Sequence, residues 1–215
     1  MKTIIYYTAN REQPEFEQKV IDRINKVKGD IPVISVSQKP IDFGTNICVG
    51  DRGHTYLNAF RQLLIGCKEA TTKYVIMAES DCFYPETGYF DYEPTNDFSI
   101  HTYDSVYVVW CKKDWYYPKE QTHGSIIYDR SFLIELLEKS LKGLPEWSRK
   151  KIGFPFFAKE QIFKHFSGNP IISVKTGYGV QKGTRINKVP VKEVPYWGTI
   201  ERFKSEYITA SPKEI

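Results

Sequence analysis

The chain has 215 residues, 41% hydrophobic and 15% aromatic, which suffices for a core in one domain of ordinary size. Its net charge is only +4, but residues 1–138 hold 15 Lys/Arg against 20 Asp/Glu, while residues 139–215 hold 15 against 6, a surplus of +9 that suits a polyanion such as a diphosphate, nucleic acid or anionic polymer. No apolar run approaches membrane-spanning length, the start reads as a strand rather than a signal peptide, and the four cysteines lack CxxC or zinc-ligand spacing, so a soluble cytoplasmic protein with reduced, mostly buried cysteines is expected.

Thr3-Ile4-Ile5-Tyr6-Tyr7-Thr8 is β-branched and aromatic throughout and predicts a first strand. Ala9-Asn10-Arg11 makes a turn, and Pro14 suits the first turn of a helix whose apolar face is Phe16, Val20, Ile24 and Val27, ending at Gly29. Pro32 to Val36 is a second strand, and strand, helix, strand with short joints begins a parallel βαβ unit. Thr8, Asn10 and Arg11 then fall at the carboxyl end of strand one, where their polar groups suit a nucleotide's base or ribose; a polar turn with a helix cap explains Asn10 equally well. Gln38 to Asp51, with Pro40, Gly44 and Gly50, reads as a loop with Asp42 and Asn46 as its polar points. From Gly53, the spacing of Tyr56, Leu57, Phe60, Leu63, Leu64 and Cys67 predicts a second amphipathic helix.

Tyr74 to Ala78 is continuously apolar, as a strand buried on both faces requires. It breaks abruptly into Glu79-Ser80-Asp81, and residues two apart in a strand share a face. At the carboxyl end of a central strand these carboxylates lie where open α/β sheets bind ligands. Like charges this close repel unless a cation or protons intervene, and a hard divalent ion, Mn2+ or Mg2+, sharing the oxygens of a diphosphate is a natural partner. The plainer alternative is that Asp81 ends the strand in a turn and Glu79 is solvated.

After a Gly/Pro-containing excursion from Pro85 to Asp97, Phe98–Thr102 and Ser105–Trp110 predict two further strands. The cluster Trp110, Trp115, Tyr116, Tyr117 is either a packed lid or a stacking wall for a ring-shaped ligand. His123-Gly124 precedes a strand over Ser125–Tyr128, and Ser131 is the expected cap of a helix carrying Phe132, Leu133, Leu136, Leu137 and Leu141. Gly153 to Phe157 is an apolar loop, and Ala158-Lys159-Glu160 opens a short helix with Ile162, Phe163 and Phe166 inward. Pro170–Val174 is expected as the last strand. Lys175 to Arg185 is a Gly-rich basic loop whose backbone donors and Lys175, Lys182 and Arg185 suit phosphates without forming a Walker motif. Residues 1–188 are expected as one catalytic domain, with 189–215, containing Pro190, Pro195 and Trp197, an arm packed over it.

This succession, over roughly residues 3–185, resembles the GT-A glycosyltransferases that use nucleotide-sugar donors, especially small family 2-like members, some of phage type. Tyr6–Arg11 is similar to their strand-one nucleotide contact, and Glu79-Ser80-Asp81 to their DxD metal motif, with Asp81 touching the metal. Gly124 with Ser125–Arg130 resembles the glycine loop and acceptor-side strand, Lys159-Glu160 the xED motif whose last carboxylate acts as base in inverting members, and Lys175–Arg185 the segment closing over the donor diphosphate. Two departures stand out: Glu79 replaces the first Asp, and Thr176 takes the place of the C-terminal His ligand, so positive charge from Lys175, Lys182 or Arg185 is an alternative to a well-held metal.

The resemblance implies an α/β, Rossmann-like GT-A mixed sheet, mostly parallel and flanked by helices. It implies a transferase with Glu160 and Asp81 as catalytic residues and a donor site of Thr8, Asn10, Arg11, Asp42, Glu79, Asp81, Lys175, Lys182 and Arg185. His123, Gly124, Trp110 and Phe156 are assigned to the acceptor, and Asp81 with Glu79 to the metal. The C-terminal surplus makes a hydroxymethylated base in DNA one candidate acceptor; a glycan or small molecule is the other, and a non-catalytic nucleic-acid-binding module is the competing class. A sugar-phosphate nucleotidyltransferase normally carries a Gly-rich turn after strand one, which Thr8-Ala9-Asn10-Arg11 lacks.

Overall fold

The structure, a computed structural model, describes residues 1–120, 122–153, 163–179 and 189–208. The first half runs β1 (Lys2–Thr8), α1 (Pro14–Val27), β2 (Val33–Ser37), β3 (Thr45–Cys48), α2 (Tyr56–Glu69), β4 (Tyr74–Glu79), β5 (Cys82–Phe83), β6 (Ile100–Tyr103) and β7 (Val106–Trp110). The second continues with β8 (Tyr117–Lys119), a 3-10 turn (His123–Ser125), β9 (Ile126–Asp129), α3 (Arg130–Leu141), β10 (Phe163–Phe166), β11 (Ile171–Lys175), β12 (Glu193–Val194), β13 (Gly198–Thr199) and α4 (Ile200–Tyr207).

Among the described residues the main sheet has seven strands in the order β10-β6-β9-β4-β1-β2-β3. β3, β2, β1 and β4 are parallel, β9 runs against β4 and β6, and β10 is parallel to β6. A four-stranded sheet, β5-β11-β7-β8, lies beside it. This is a mixed, mostly parallel, Rossmann-like sheet flanked by helices, the architecture that the sequence implied. Side chains alternate across the central strands. Ile4, Tyr6, Ile76 and Ala78 pack with Phe16, Val20 and Ile24 of α1 and with the smaller sheet. Ile5, Val75 and Met77 pack with Leu57, Leu63 and Leu64 of α2 and Leu133 and Leu137 of α3. Burial on both faces explains why these strands read as unbroken apolar runs.

Several expectations are corrected. Among the described residues Thr45–Cys48, within the expected loop, is an edge strand paired only to β2, with no residue buried and no apolar alternation. Phe163–Phe166, expected as helix, is a strand beside β6: main-chain pairing and the stacking of Phe166 on Tyr92 at 3.7 Å override a three-residue spacing that fits a helix equally well. The cap of α3 is Asp129, which accepts from the Phe132 N–H at 3.2 Å and also takes the Ser131 hydroxyl at 2.6 Å. β11 is not the last strand, because the C-terminal segment adds β12, β13 and α4. In that segment Trp197 donates its indole N–H to Pro170 O at 2.6 Å, and Trp197, Ile200 and Phe203 are buried in the core. Of the cysteines, Cys67 and Cys82 are buried, Cys111 is half-buried and Cys48 is exposed; all are free. No helix among the described residues is long and apolar enough to cross a membrane.

α2 lies on the sheet through a glycine. A Cβ on Gly66 would sit 2.7 Å from Ile5 Cγ2 and 3.2 Å from Val36 Cγ2, both in the packed interior. Gly66→Ala is expected to lower stability by about 1–2 kcal/mol, because overpacking outweighs the gain in helix propensity. Urea unfolding measures this; a variant as stable as wild type or more so contradicts the close helix–sheet contact.

Candidate active site

The site opens where two strands part. β4 and β9 pair only from Tyr74↔Asp129 to Ile76↔Ile127, while β4 keeps its register with β1 as far as Tyr7↔Glu79. Beyond that split the exposed main chain is satisfied by tyrosines. The Tyr89 hydroxyl lies 2.9 Å from Met77 O and 3.2 Å from Ile126 O, and the Tyr84 hydroxyl donates to Gly124 O at 3.0 Å while accepting from the Glu79 N–H at 3.1 Å. On the other side, Gln62 of α2 donates to Thr8 O at 2.7 Å and Val36 O at 2.8 Å, closing the carboxyl ends of β1 and β2. The result is a cleft of about 340 Å³ at the carboxyl ends of parallel strands, the usual ligand position in open α/β sheets.

Glu79 and Asp81 share this cleft but differ in setting. Glu79 accepts from the Tyr7 hydroxyl at 3.1 Å, the Thr122 hydroxyl at 2.9 Å and the Gly124 N–H at 3.1 Å. It fastens β4 to the 3-10 turn. Gly124 is required there, since a Cβ would lie 2.9 Å from the Tyr84 hydroxyl and 3.1 Å from Glu79 Oε2. Asp81 instead takes the Lys175 ammonium group at 2.8 Å, with both side chains mostly buried. Burial alone would push Lys175 down, but the Asp81 carboxylate, with Glu79 nearby, holds its pKa above the ordinary lysine value. Lys119 faces the same cleft, and burial together with the Lys175 charge lowers its pKa. Burial likewise lowers that of His123, whose ring meets Phe60 edge-on at 5.3 Å.

Glu12 is a further acidic group in the cleft. Its side chain is buried, accepts from the Thr176 hydroxyl at 2.6 Å, and has its pKa raised from 4.5 to about 7, first by burial and also by the Asp81 and Glu17 charges. Thr176, which stands where the resemblance places a histidine metal ligand, is thus engaged with this carboxyl.

By proximity, Glu79, Asp81 and Cys82 form a group that could hold a metal ion: one ligand atom from each lies within 4.8 Å of the others. Their chemistry fits a hard divalent cation poorly. Glu79 already accepts three hydrogen bonds from oxygen and nitrogen donors, Asp81 Oδ2 holds an ammonium group, and Cys82 offers a soft sulfur rather than an oxygen. Mn2+ and Mg2+ prefer several free oxygen ligands.

Of the residues singled out in the sequence, Thr8, Arg11, Glu79, Asp81, Lys175 and His123 line the cleft, and Gly124 supports it from behind Glu79. Asn10 does not line it. Held at φ +48°, Asn10 accepts through Oδ1 from the Gln38 and Lys39 N–H groups at 2.9 and 2.8 Å and ties the ends of β1 and β2 together. Asp42 is exposed and away from the cleft lining, and Trp110 packs edge-on against Tyr117 at 4.9 Å under Lys113. Glu160, Phe156, Lys182 and Arg185 lie outside the described residues. Sequence reasoning missed Glu12, Lys119 and Thr122, whose roles depend on contacts with distant parts of the chain.

Neither a family model nor a curated protein matches the chain. Solved structures are similar to it at low identity. HddC from Yersinia pseudotuberculosis is 11% identical over 80% of this chain and 93% of that one, with a TM-score of 0.48. A glycosyltransferase involved in the glycosylation of the major capsid of PBCV-1 is 10% identical over 67% and 68%, with a TM-score of 0.41. The 1-349 segment of S. aureus TarS is 12% identical over 62% of this chain and 48% of that one, with a TM-score of 0.39, so the chain spans about half of that segment.

The Glu12 carboxyl gives a pH signature. Its folded pKa lies above the unfolded one, so between about pH 4.5 and about pH 7 the folded chain keeps a proton that the unfolded chain has lost. Stability from this group is full at the acidic end and falls as pH rises. Glu12→Gln, which keeps an acceptor for Thr176, is expected to gain stability relative to wild type across that window, reaching on the order of 2–3 kcal/mol. A denaturation difference independent of pH contradicts the near-neutral buried carboxyl.

Proposed function

We propose that this chain is a transferase that moves a sugar from a nucleotide-sugar donor to a hydroxyl acceptor. The observation that supports this most is the meeting, in one cleft, of the polar end of β1 (Thr8, Arg11), the acidic end of β4 (Asp81) and the cationic end of β11 (Lys175). Residues 1–188 form the catalytic unit in this reading and 189–215 an arm upon it.

In the reaction the acceptor oxygen bonds to the anomeric carbon as the bond from that carbon to the donor phosphate oxygen breaks. The electron pair of the broken bond leaves with the nucleoside diphosphate. Charge grows on that leaving group through an oxocarbenium-like state, and fixed positive charge beside it lowers the barrier. Lys175 supplies such a charge, and Lys182 and Arg185 join it in this proposal. Glu160 takes the acceptor proton, and the nucleoside lies toward Thr8 and Arg11. The acceptor approaches past His123 and the 3-10 turn. The basic C-terminal third favours a hydroxymethylated base in DNA as acceptor, whereas the partly apolar cleft wall of Phe60, Leu63 and Ile126 suits a glycan or small molecule.

Thermal-shift screening with UDP-, GDP- and other nucleotide-sugars tests the donor, because a ligand that binds only the folded chain raises its melting temperature. One nucleotide-sugar is expected to stabilise the chain more than its nucleoside does. Glu160→Gln is expected to keep that shift and lose at least about a hundredfold in transfer. Full turnover by that variant removes Glu160 from the mechanism. Salt-sensitive DNA binding with no donor-dependent shift selects the non-catalytic module instead.

A further inference from the structure

We infer that the donor diphosphate is received by the two ammonium groups of Lys119 and Lys175 rather than by a divalent cation. The inference rests on the nucleotide-sugar reading above and specifies its chemistry. Four observations carry it.

The first is that Asp81 already holds a cation. Lys175 Nζ stands 2.8 Å from Asp81 Oδ2, and the two side chains are only 14% and 17% exposed, so this is not a solvated surface pair. A metal bridging Asp81 and a diphosphate would have to displace the ammonium group or share the carboxylate with it. The second is that Glu79 has structural work. Its two oxygens accept from Tyr7, Thr122 and Gly124, and turning it onto a metal leaves these part-buried donors unpaired.

The third concerns Cys82, the remaining member of the acidic group. Its sulfur lies 3.4 Å from Asp81 Oδ1 and 3.8 Å from Glu79 Oε2 as a hydrogen-bond donor, and the residue is fully buried. Soft sulfur does not suit a hard ion, which prefers oxygen ligands.

The fourth is Lys119. Its side chain lines the cleft, and among the described residues its ammonium group makes neither an ion pair nor a hydrogen bond. It lies within electrostatic reach of Lys175; burial and that charge disfavour its protonated form, while the Glu79 and Asp81 carboxylates favour it. Asp81 offsets the charge of Lys175, and an anion that reaches both ammonium groups offsets the repulsion that is left. A diphosphate is such an anion, with charge on both phosphoryl groups, and its binding turns the repulsion into two charge-assisted hydrogen bonds. Asp81 positions Lys175 for one of them; Lys119 supplies the other and is a substrate-contacting residue.

The test is titration calorimetry of UDP and GDP, and of uridine and guanosine as phosphate-free controls, against the full chain in excess EDTA and in excess manganese. At least one diphosphate is expected to bind equally in both buffers within about twofold. Lys119→Met is expected to weaken that binding by about tenfold or more without changing nucleoside binding, and Lys119→Arg to restore most of it. The melting temperature of each variant without ligand reports whether it folds. Binding that vanishes in EDTA and returns with manganese overturns this inference and leaves the nucleotide-sugar reading intact, as does wild-type affinity in a folded Lys119→Met. Absence of diphosphate binding in either buffer overturns both.

Discussion

The Lys175 ammonium group rests against the Asp81 carboxylate across 94 residues of sequence, joining the end of β11 to the turn after β4. The contact cancels charge that the parting of β4 and β9 would otherwise leave concentrated in a poorly hydrated cleft. Removing either partner leaves an uncompensated charge there, a far larger cost than losing an exposed pair. It also joins the small sheet to the main one at the edge of the cleft. The smaller sheet therefore does more than cover an apolar face: it brings positive charge, from β8 and β11, to a cleft whose acids are Glu79 at the end of β4, Asp81 in the turn after it and Glu12 in the loop after β1.

The acidic groups of the cleft are not equivalent. Glu79 is a structural carboxylate, saturated with donors that hold the 3-10 turn in place. Glu12 is buried against Thr176 with its pKa near neutrality. Asp81 is the carboxylate turned toward a cation. Two acidic residues two positions apart therefore do different work, because one points into a nest of hydroxyl and amide donors and the other toward an incoming lysine.

The framework was legible where burial imposes a period. The apolar run Tyr74–Ala78, the β-branched and aromatic run of β1 and the helical spacing of α1 and α2 are direct consequences of covering both faces of a sheet, and the elements appear close to their expected places. Legibility failed where main-chain pairing decides: Thr45–Cys48 has no apolar pattern because it is an edge, and Phe163–Phe166 has a spacing that either element accommodates. At the site, the acids and Lys175 stood out as local breaks in pattern. Glu12 and Lys119 did not, since nothing beside them announces burial, and only the arrival of Thr176 and Lys175 from far along the chain gives them a chemical setting. Asn10 shows the reverse: a polar residue at the expected corner serves the fold, its side chain spent on the β2 loop.

The central claim is that a diphosphate enters beside Asp81 and meets the lysines of the small sheet. The most direct measurement is a crystal structure of the chain grown with UDP or GDP and manganese. The account predicts diphosphate oxygens within hydrogen-bond distance of both Lys119 Nζ and Lys175 Nζ, with Asp81 still paired to Lys175 and no metal between carboxylate and phosphate. A nucleotide bound outside this cleft, or a manganese ion coordinated by Asp81 and Glu79 with Lys175 displaced, contradicts it.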